Sequence, residues 1–514
     1  MAAALGIEID SEIKRRGEKN MIKPQFETHR YVGKICRLKS QSIVECRLPG
    51  SEISSILAVH AKAVPSECVC VDGEAQYGGK LLLCIVYEDG DKKICRAERG
   101  AEFFHKAEGG EVTPACFAKA MLSPANVTWR REGSGLYVSV VIDADISVYG
   151  GKQMEYLTGG DGIIVKKNPI AVYKTVCVSG ETEGEDEFDT DYVGDILLHS
   201  ETAIVNRVGI TNGQIDVEGE VNLNICVLKS DESLCSYERL VPFTLHVPCD
   251  DAFGKVAAGA RVFVKSAHLS AGTDEEKGAS HIVFSYTLSA ECYLSAHEEL
   301  SVVEDGFSTE AELCLKKKNE GGMYLINHTK CVERISGTAA LSPDIDGEYT
   351  LQAAVLPRAE LICRKGDKGM DAEGVILAEV LLGGADGSRR SATLTLPFIF
   401  PIETEGKVVE AEGMVCGLNV RRKKNGETEA EATLKLSLCA YEEREWSYIC
   451  EATEGETYAE TDAAFSVFMT NAGEDLWQVS KRLACAPDDL KRSNPDLEFP
   501  LKDGERIFVY RQLK

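Results

Sequence analysis

Residues 465–514 read FSVFMTNAGEDLWQVSKRLACAPDDLKRSNPDLEFPLKDGERIFVYRQLK, and their punctuation separates a small module from everything upstream. Phe465, Val467 and Met469 alternate with other residues, as the apolar face of a half-buried strand does. Asp475 follows Asn471-Ala472-Gly473 as an N-cap, with Gln478 three residues on as its capping-box partner. Leu476, Val479, Ser480 and Leu483 then keep helical spacing. A second helix starts at Pro487, with Asp488 and Asp489 against the positive end of its dipole, and stops near Asn494-Pro495. Gly504 turns the chain into a closing strand with Ile507 and Val509 inward. The expectation is strand, helix, helix, strand around a small core.

GEDLW, Leu490, Asn494-Pro495 and Gly504 with Ile507 resemble the LysM domain. That resemblance implies a βααβ fold and binding of N-acetylglucosamine glycans such as peptidoglycan. Its ligand groove falls here on Asn471, Ala472, Gly473, Glu474, Asp475 and Leu476, and on Asn494, Pro495 and Asp496. The common Gly-Asp-Thr of the family is Gly473-Glu474-Asp475 here, which adds a second carboxylate to the groove. Trp477 either stacks on a sugar or packs the first helix, and Asn494 either binds glycan or ends the second helix. Lys481, Arg482, Lys491 and Arg492 sit at equivalent places on the two helices, as a solvated face or as a docking patch for an acidic partner.

The 514 residues carry 83 acids and 57 bases, a formal charge of −26. The terminal fifty hold eight of each, so the whole excess lies upstream. An acidic body disfavours non-specific binding to nucleic acid or anionic lipid. No apolar run is long enough for a membrane span, so no membrane insertion is expected. The first twenty residues carry Glu8 and Asp10 and lack the apolar centre of a signal peptide. The 19 cysteines, with no CxxC among them, read as reduced core residues.

Upstream, the sequence repeats in register. A strand-like opening occurs at HRYVGKICRL from His29, YKTVCVSGET from Tyr173 and TKCVERISGT from Thr329. A glycine inside a strand signal follows in CVCVDGEA, QIDVEGEV and GMDAEGVI, at Gly73, Gly219 and Gly374. Pro242-Phe243 and Pro397-Phe398 come 24 residues after the second and third glycines. The first copy offers Phe103-Phe104 after a longer gap, with Glu102 at the proline position. Each copy ends in a long alternating strand: Leu136 to Ile146, Ile282 to Cys292, and Ala432 to Ala440. REGSG, GTDEEKGAS and RRKKNGETE precede these strands as hairpin turns. Glu52–Ala61 reads as a short helix or a strand, and ETEGEDEFD, NEGGM and EATEGETYAETDAA as joints.

Copies of about 140 residues, mostly strand and turn, imply tandem sandwich-like all-β domains. NRVGITNGQIDVEGEVNLNICVL with LVPFTLHVP resembles the SPOCS domain of bacterial spore-coat proteins. SEISSILAVHAKAVPSECVCVDGEA carries the likeness in the first copy, and DAEGVILAEVLL with LPFIFP in the third. The expected architecture is a leader (1–24), a divergent first SPOCS domain (25–167), a second (168–320) and a third (321–452). An acidic linker (453–464) and the LysM domain (465–514) complete it. This order resembles clostridial spore-coat morphogenetic proteins, which act in the mother cell at the forespore surface and bind the SpoIVA-type coat ATPase.

No HExxH, P-loop or GxSxG motif occurs, and Gly383–Gly387 reads as a hairpin loop. Nor does any histidine spacing favour zinc. The expectation is therefore a non-enzymatic adaptor without cofactor or metal, its β domains acting as rigid spacers and its terminal module as the docking head. Peptidoglycan binding by the LysM groove is the alternative, and a wall hydrolase the third reading.

Overall fold

The computed structural model describes residues 22–48, 53–132, 135–190, 194–254, 256–274, 279–343, 345, 349–366, 369–423, 426–459 and 464–510. The chain is mainly β. The first copy comprises β1 (Lys23–Leu48), β2 (Ile53–Pro65), β3 (Val69–Val71), β4 (Glu74–Asp89), β5 (Ile94–Glu108), β6 (Phe117–Glu132) and β7 (Gly135–Asp161). The second holds β8 (Ile164–Thr190), β9 (Gly194–Thr211), β10 (Gln214–Lys229), β11 (Leu234–Pro248), β12 (Ala257–Asp274) and β13 (Ala279–Phe307). The third holds β14 (Ala311–Ser342), β15 (Tyr349–Lys365), β16 (Met370–Gly384), β17 (Arg389–Ile402), β18 (Val408–Arg422) and β19 (Thr428–Thr457). The terminal module is β20 (Phe465–Met469), α1 (Leu476–Arg482), α2 (Pro487–Ser493) and β21 (Arg506–Tyr510).

In every copy the last strand pairs with both the first and the fifth, and the third strand lies between the second and fourth, β3 being a short extra in the first copy. The two sheets face each other across a core, and in the third copy β14 also pairs with β17 over Ala340–Ser342, which joins them into one six-stranded sheet. The long alternating strands supply it: Val138, Val140 and Ile142 in the first copy, Phe284, Leu288 and Cys292 in the second, Leu434 and Leu436 in the third are all buried. Alternation with one solvated face drives this pairing. Residues 53–61 are strand β2, because pairing with β4 buries Leu57 and Ala58 and overrides any local helical preference.

The repeat glycines have a steric cause. A Cβ on Gly219 would lie 2.2 Å from the Ile204 carbonyl oxygen, and one on Gly374 would lie 2.1 Å from that of Glu360. In the first copy the equivalent is Gly79, 2.4 Å from the Val64 carbonyl, and not the expected Gly73. Gly73 sits in the preceding turn at φ +78°, matching Gly213 at φ +85°. With Gly79 in place the interval to the facing phenylalanine is 24 residues in all three copies, because Gly79 opposes Phe103, Gly219 opposes Phe243 and Gly374 opposes Phe398.

The copies are not strung as spacers. The third or fourth strand of each packs on the second strand of the next: β4 and β5 on β9, β10 and β11 on β15, and β17 back on β2. The contacts form a closed head-to-tail ring, the single-chain counterpart of a cyclic trimer. At its centre the equivalent residues Val86, Cys226 and Leu381 meet in one buried cluster with Leu57, Leu197 and Leu356. At the top, turn tips of all three copies converge. Arg389 donates to the Glu232 carbonyl at 3.1 Å and pairs with Glu88 at 3.2 Å, thereby joining the third copy to both others.

Beneath the apolar cluster lies a polar layer. Lys62 of the first copy pairs with Glu201 of the second at 2.8 Å, His199 also contacts Glu201, and His60 is beside them. These groups border a cleft of about 530 Å³ between the two copies, with Lys80 and His268 on its walls. Lower still, the Glu410 carboxylate takes Arg37 of the first copy at 2.7 Å, Arg261 of the second at 2.8 Å and its own copy's Tyr441 at 3.2 Å. The first and last strands of each copy then leave the sandwich as two-stranded ribbons. These bundle around Tyr31, Tyr156, Tyr324, Trp446 and Tyr448. Glu320 knits that layer, accepting from Tyr31 at 2.9 Å and Tyr448 at 2.8 Å.

The acidic and Gly-rich stretches expected as joints are therefore strand: ETEGEDEFD lies in β8, Asn319–Met323 in β14, and 453–457 continue β19. Backbone pairing with the adjacent long strand holds them, and the third copy begins at Ala311, not at 321. Residues 1–21 and 460–463 lie outside the described residues.

The glycine contacts predict that Gly219→Ala costs about 1–3 kcal/mol or more in urea unfolding, since the added methyl collides with a carbonyl that cannot retreat. Gly151, where an added methyl would meet nothing within 4 Å, is the control and stays within about 1 kcal/mol of the native chain on conversion to alanine.

A second prediction concerns acid. Burial pushes the Glu201 carboxyl up, but the His199 ring and Lys62 outweigh it and hold it at about 2 against an ordinary 4.5. Burial pushes His60 down to about 4 from 6.5. Both folded values lie below the unfolded ones, so both contributions are complete at neutral pH and fade as pH falls, His60 first and Glu201 between 4.5 and 2. Stability measured from pH 7 to pH 3 should fall less in Glu201→Gln than in the native chain, by about 2 kcal/mol.

Candidate docking site

The module core is Val479, Leu483, Leu490, Leu501, Ile507 and Val509, all buried. Asp475 caps α1 by accepting from the Gln478 N–H at 2.7 Å, and its own N–H donates to the Gln478 side chain at 2.9 Å. Pro487 opens α2 with Asp488 and Asp489 in its first turn. β20 and β21 pair antiparallel, with Phe468 opposite Ile507 and Ser466 opposite Val509. That register sends Phe468 inward and turns the expected inner face outward. Phe465, Val467 and Met469 are 47%, 47% and 56% exposed, and Phe508 and Tyr510 join them on the same side. The small core between sheet and helices is already filled by Ile507, Val509 and the helix residues. Phe465 stacks on Phe508 at 5.6 Å and meets Tyr510 at 5.1 Å. An apolar, largely aromatic strip thus lies open on the sheet. The same alternation that put Ile507 and Val509 inside implied Phe508 and Tyr510 outside.

The groove expected from sequence is committed internally. Glu474 accepts from the Asn471 N–H at 2.9 Å, the Asn471 amide at 3.1 Å and Arg482 at 2.8 Å. Burial raises its carboxyl, and these donors more than offset that, leaving it below the usual range. Asp475 is the cap. Asn494, buried, donates to the Leu490 carbonyl at 2.8 Å and the Phe508 carbonyl at 2.7 Å, and accepts from the Phe508 N–H at 2.7 Å. It both ends α2 and pins β21. The first loop is tied to Leu501, by Gly473 N–H to the Leu501 carbonyl at 2.8 Å and Leu501 N–H to that of Glu474 at 2.9 Å. Asn471, Ala472, Gly473, Pro495 and Asp496 are exposed and Leu476 is half-buried.

The four cations do not form one patch. Arg482 serves Glu474, Arg492 pairs with Asp489 at 3.3 Å, and Lys491 stands exposed. Lys481 reaches out of the module to Asp305 at 2.6 Å. Trp477 neither stacks on the module's own sheet nor lies open for a sugar: its indole N–H donates to the same carboxylate at 2.9 Å, and its ring meets Phe307 edge-on at 5.2 Å. Sequence spacing carries no signal for a contact across 172 positions. Among the described residues there is no cluster of three or more metal donors and no helix long and apolar enough to cross a membrane. Neither a family model, nor a curated protein, nor a solved structure matches this chain.

Proposed function

We propose that the chain is a non-enzymatic adaptor of spore-coat assembly, of the clostridial SipL type, with three SPOCS-like β domains and a LysM-like terminal module. In this reading it works in the mother cell at the forespore surface and docks a SpoIVA-type coat ATPase through that module. The domain order read from the sequence motivates the assignment. The observation that carries the docking role is the open strip of Phe465, Val467, Met469, Phe508 and Tyr510. Exposed aromatic residues clustered on a rigid element are the usual anchors of protein interfaces.

Peptidoglycan is the weaker ligand. A glycan needs free hydrogen-bonding groups, and the side chains of Asn471, Glu474, Asp475 and Asn494 are spent inside the module. The ring-shaped body supplies a rigid platform for the module, in place of an extended arm.

With the full chain immobilised, a SpoIVA-type ATPase should bind, and Phe465→Glu should weaken binding by about 30-fold or more. Chitooligosaccharide should leave the native chain's heat and fluorescence unchanged. Absence of ATPase binding by the native chain, or undiminished binding by the variant, contradicts the docking role.

A further inference from the structure

The contact between module and body is itself a recognition event. In β13 the ladder to β8 slips between Val303 and Asp305, so Glu304 bulges and Asp305 is aimed off the end of the ribbon. The Asp305 carboxylate takes three donors: Trp477 at 2.9 Å, Lys481 at 2.6 Å, and the N–H of Gly306 at 2.9 Å. Two residues on, Phe307 offers its ring to the Trp477 indole. Trp477 and Lys481 stand four apart on α1, hence on one face and one turn from each other. A single short segment, Asp305-Gly306-Phe307, therefore satisfies that face with one carboxylate and one ring.

We propose that the Trp477–Lys481 face of α1 is a binding site for acidic–aromatic peptide segments, and that Asp305-Gly306-Phe307 occupies it as an internal stand-in for the partner. The face has the chemistry of such a site: an indole N–H and an ammonium converge on one carboxylate, beside an aromatic surface. Its occupant is held by few side chains. Among the described residues, no extended packing of the module's strands and helices on a strand of the body accompanies these contacts to the end of β13. So small a contact is reversible on the scale of a weak interface. An incoming segment with a carboxylate followed by an aromatic residue exchanges for Asp305 and Phe307 without a net loss of hydrogen bonds. Resting on the docking role proposed above, the consequence is regulation: the sheet strip is open in both states, whereas the α1 face becomes available only when the module leaves the ribbon.

The test uses the full chain and its three tryptophan indole signals in heteronuclear NMR, the Trp477 signal being the one lost in Trp477→Phe. Asp305→Ala and Lys481→Ala should each shift that signal and leave those of Trp129 and Trp446 in place, which reports a lost contact at α1 on an intact body. A VEDGF peptide, the sequence of residues 303–307, should then bind Asp305→Ala about 10-fold or more tighter than the native chain. A VENGF peptide should not. An unmoved Trp477 signal in both variants, or equal affinity of VEDGF for native and opened chains, overturns the proposal. No ATPase enters these measurements, so they stand or fall apart from the docking role. The regulatory consequence is read separately, as tighter ATPase capture by Asp305→Ala than by the native chain; unchanged capture removes it.

Discussion

The body depends on covering the outer face of three middle strands. In β4, β10 and β16 the inward alternation breaks near the turn, and consecutive residues are buried: Ile85 with Val86, Ile225 with Cys226 and Val227, Val380 with Leu381 and Leu382. A sandwich covers only one side of its sheet, so Val86, Cys226 and Leu381 need a neighbour. At roughly 25 cal/mol per Å² of apolar surface, three such strips left in water would cost several kcal/mol. Each copy covers the strip of another, and three copies close the set. The polar layers beneath follow from the same closure. Lys62 with Glu201, and Glu410 with Arg37 and Arg261, pair across copies because the apolar cluster brings those strands together. Partly buried ion pairs of this kind add little net stability but penalise any other register.

Much of this was legible in the residues. The long strands and their inward faces followed from period-2 alternation, and the module's capping box and helix starts from local side-chain chemistry; the expected hairpin turns before those strands centre on 133–134, 275–278 and 424–425, outside the described residues. The packing of one copy on another left a partial signal, which the expectation of spacers did not take up. LLLCIV and ICVL are unbroken apolar runs, the mark of strands buried on both faces. The divergence of the first copy was partly a misaligned glycine. In the sequence Gly73 and Gly79 both border strand-like runs, and only the position of the Val64 carbonyl shows which one lacks room for a Cβ.

The module shows where sequence reasoning stops. Phe465, Val467 and Met469 alternate as a core face should, yet the register with β21 spends the inward side on Phe468. Alternation fixes that two faces differ, and here each face carries a large apolar side chain, so it does not say which is covered. Asn494, Glu474 and Asp475 look like ligand-binding groups because they are polar and loop-borne, but each already has a backbone or side-chain partner. Asp305 carried no signal at all, because its role exists only once a bulge at the foot of the ribbon meets a helix folded far along the chain. The resulting picture is a closed three-copy platform, with the terminal module clasped at one end and its aromatic strip facing out.

The contact that an extended arrangement cannot make is the one from the third copy back to the first, and Arg389 with Glu88 is its clearest polar pair. Both are nearly buried, at 12% and 9% side-chain exposure. A double-mutant cycle in the full chain, with Arg389→Met, Glu88→Gln and the combination followed by urea unfolding, measures that closure directly. The ring predicts a coupling of about 1–3 kcal/mol between the two sites. Additivity to within about 0.5 kcal/mol, as expected for residues on separate domains of an open arm, would contradict it.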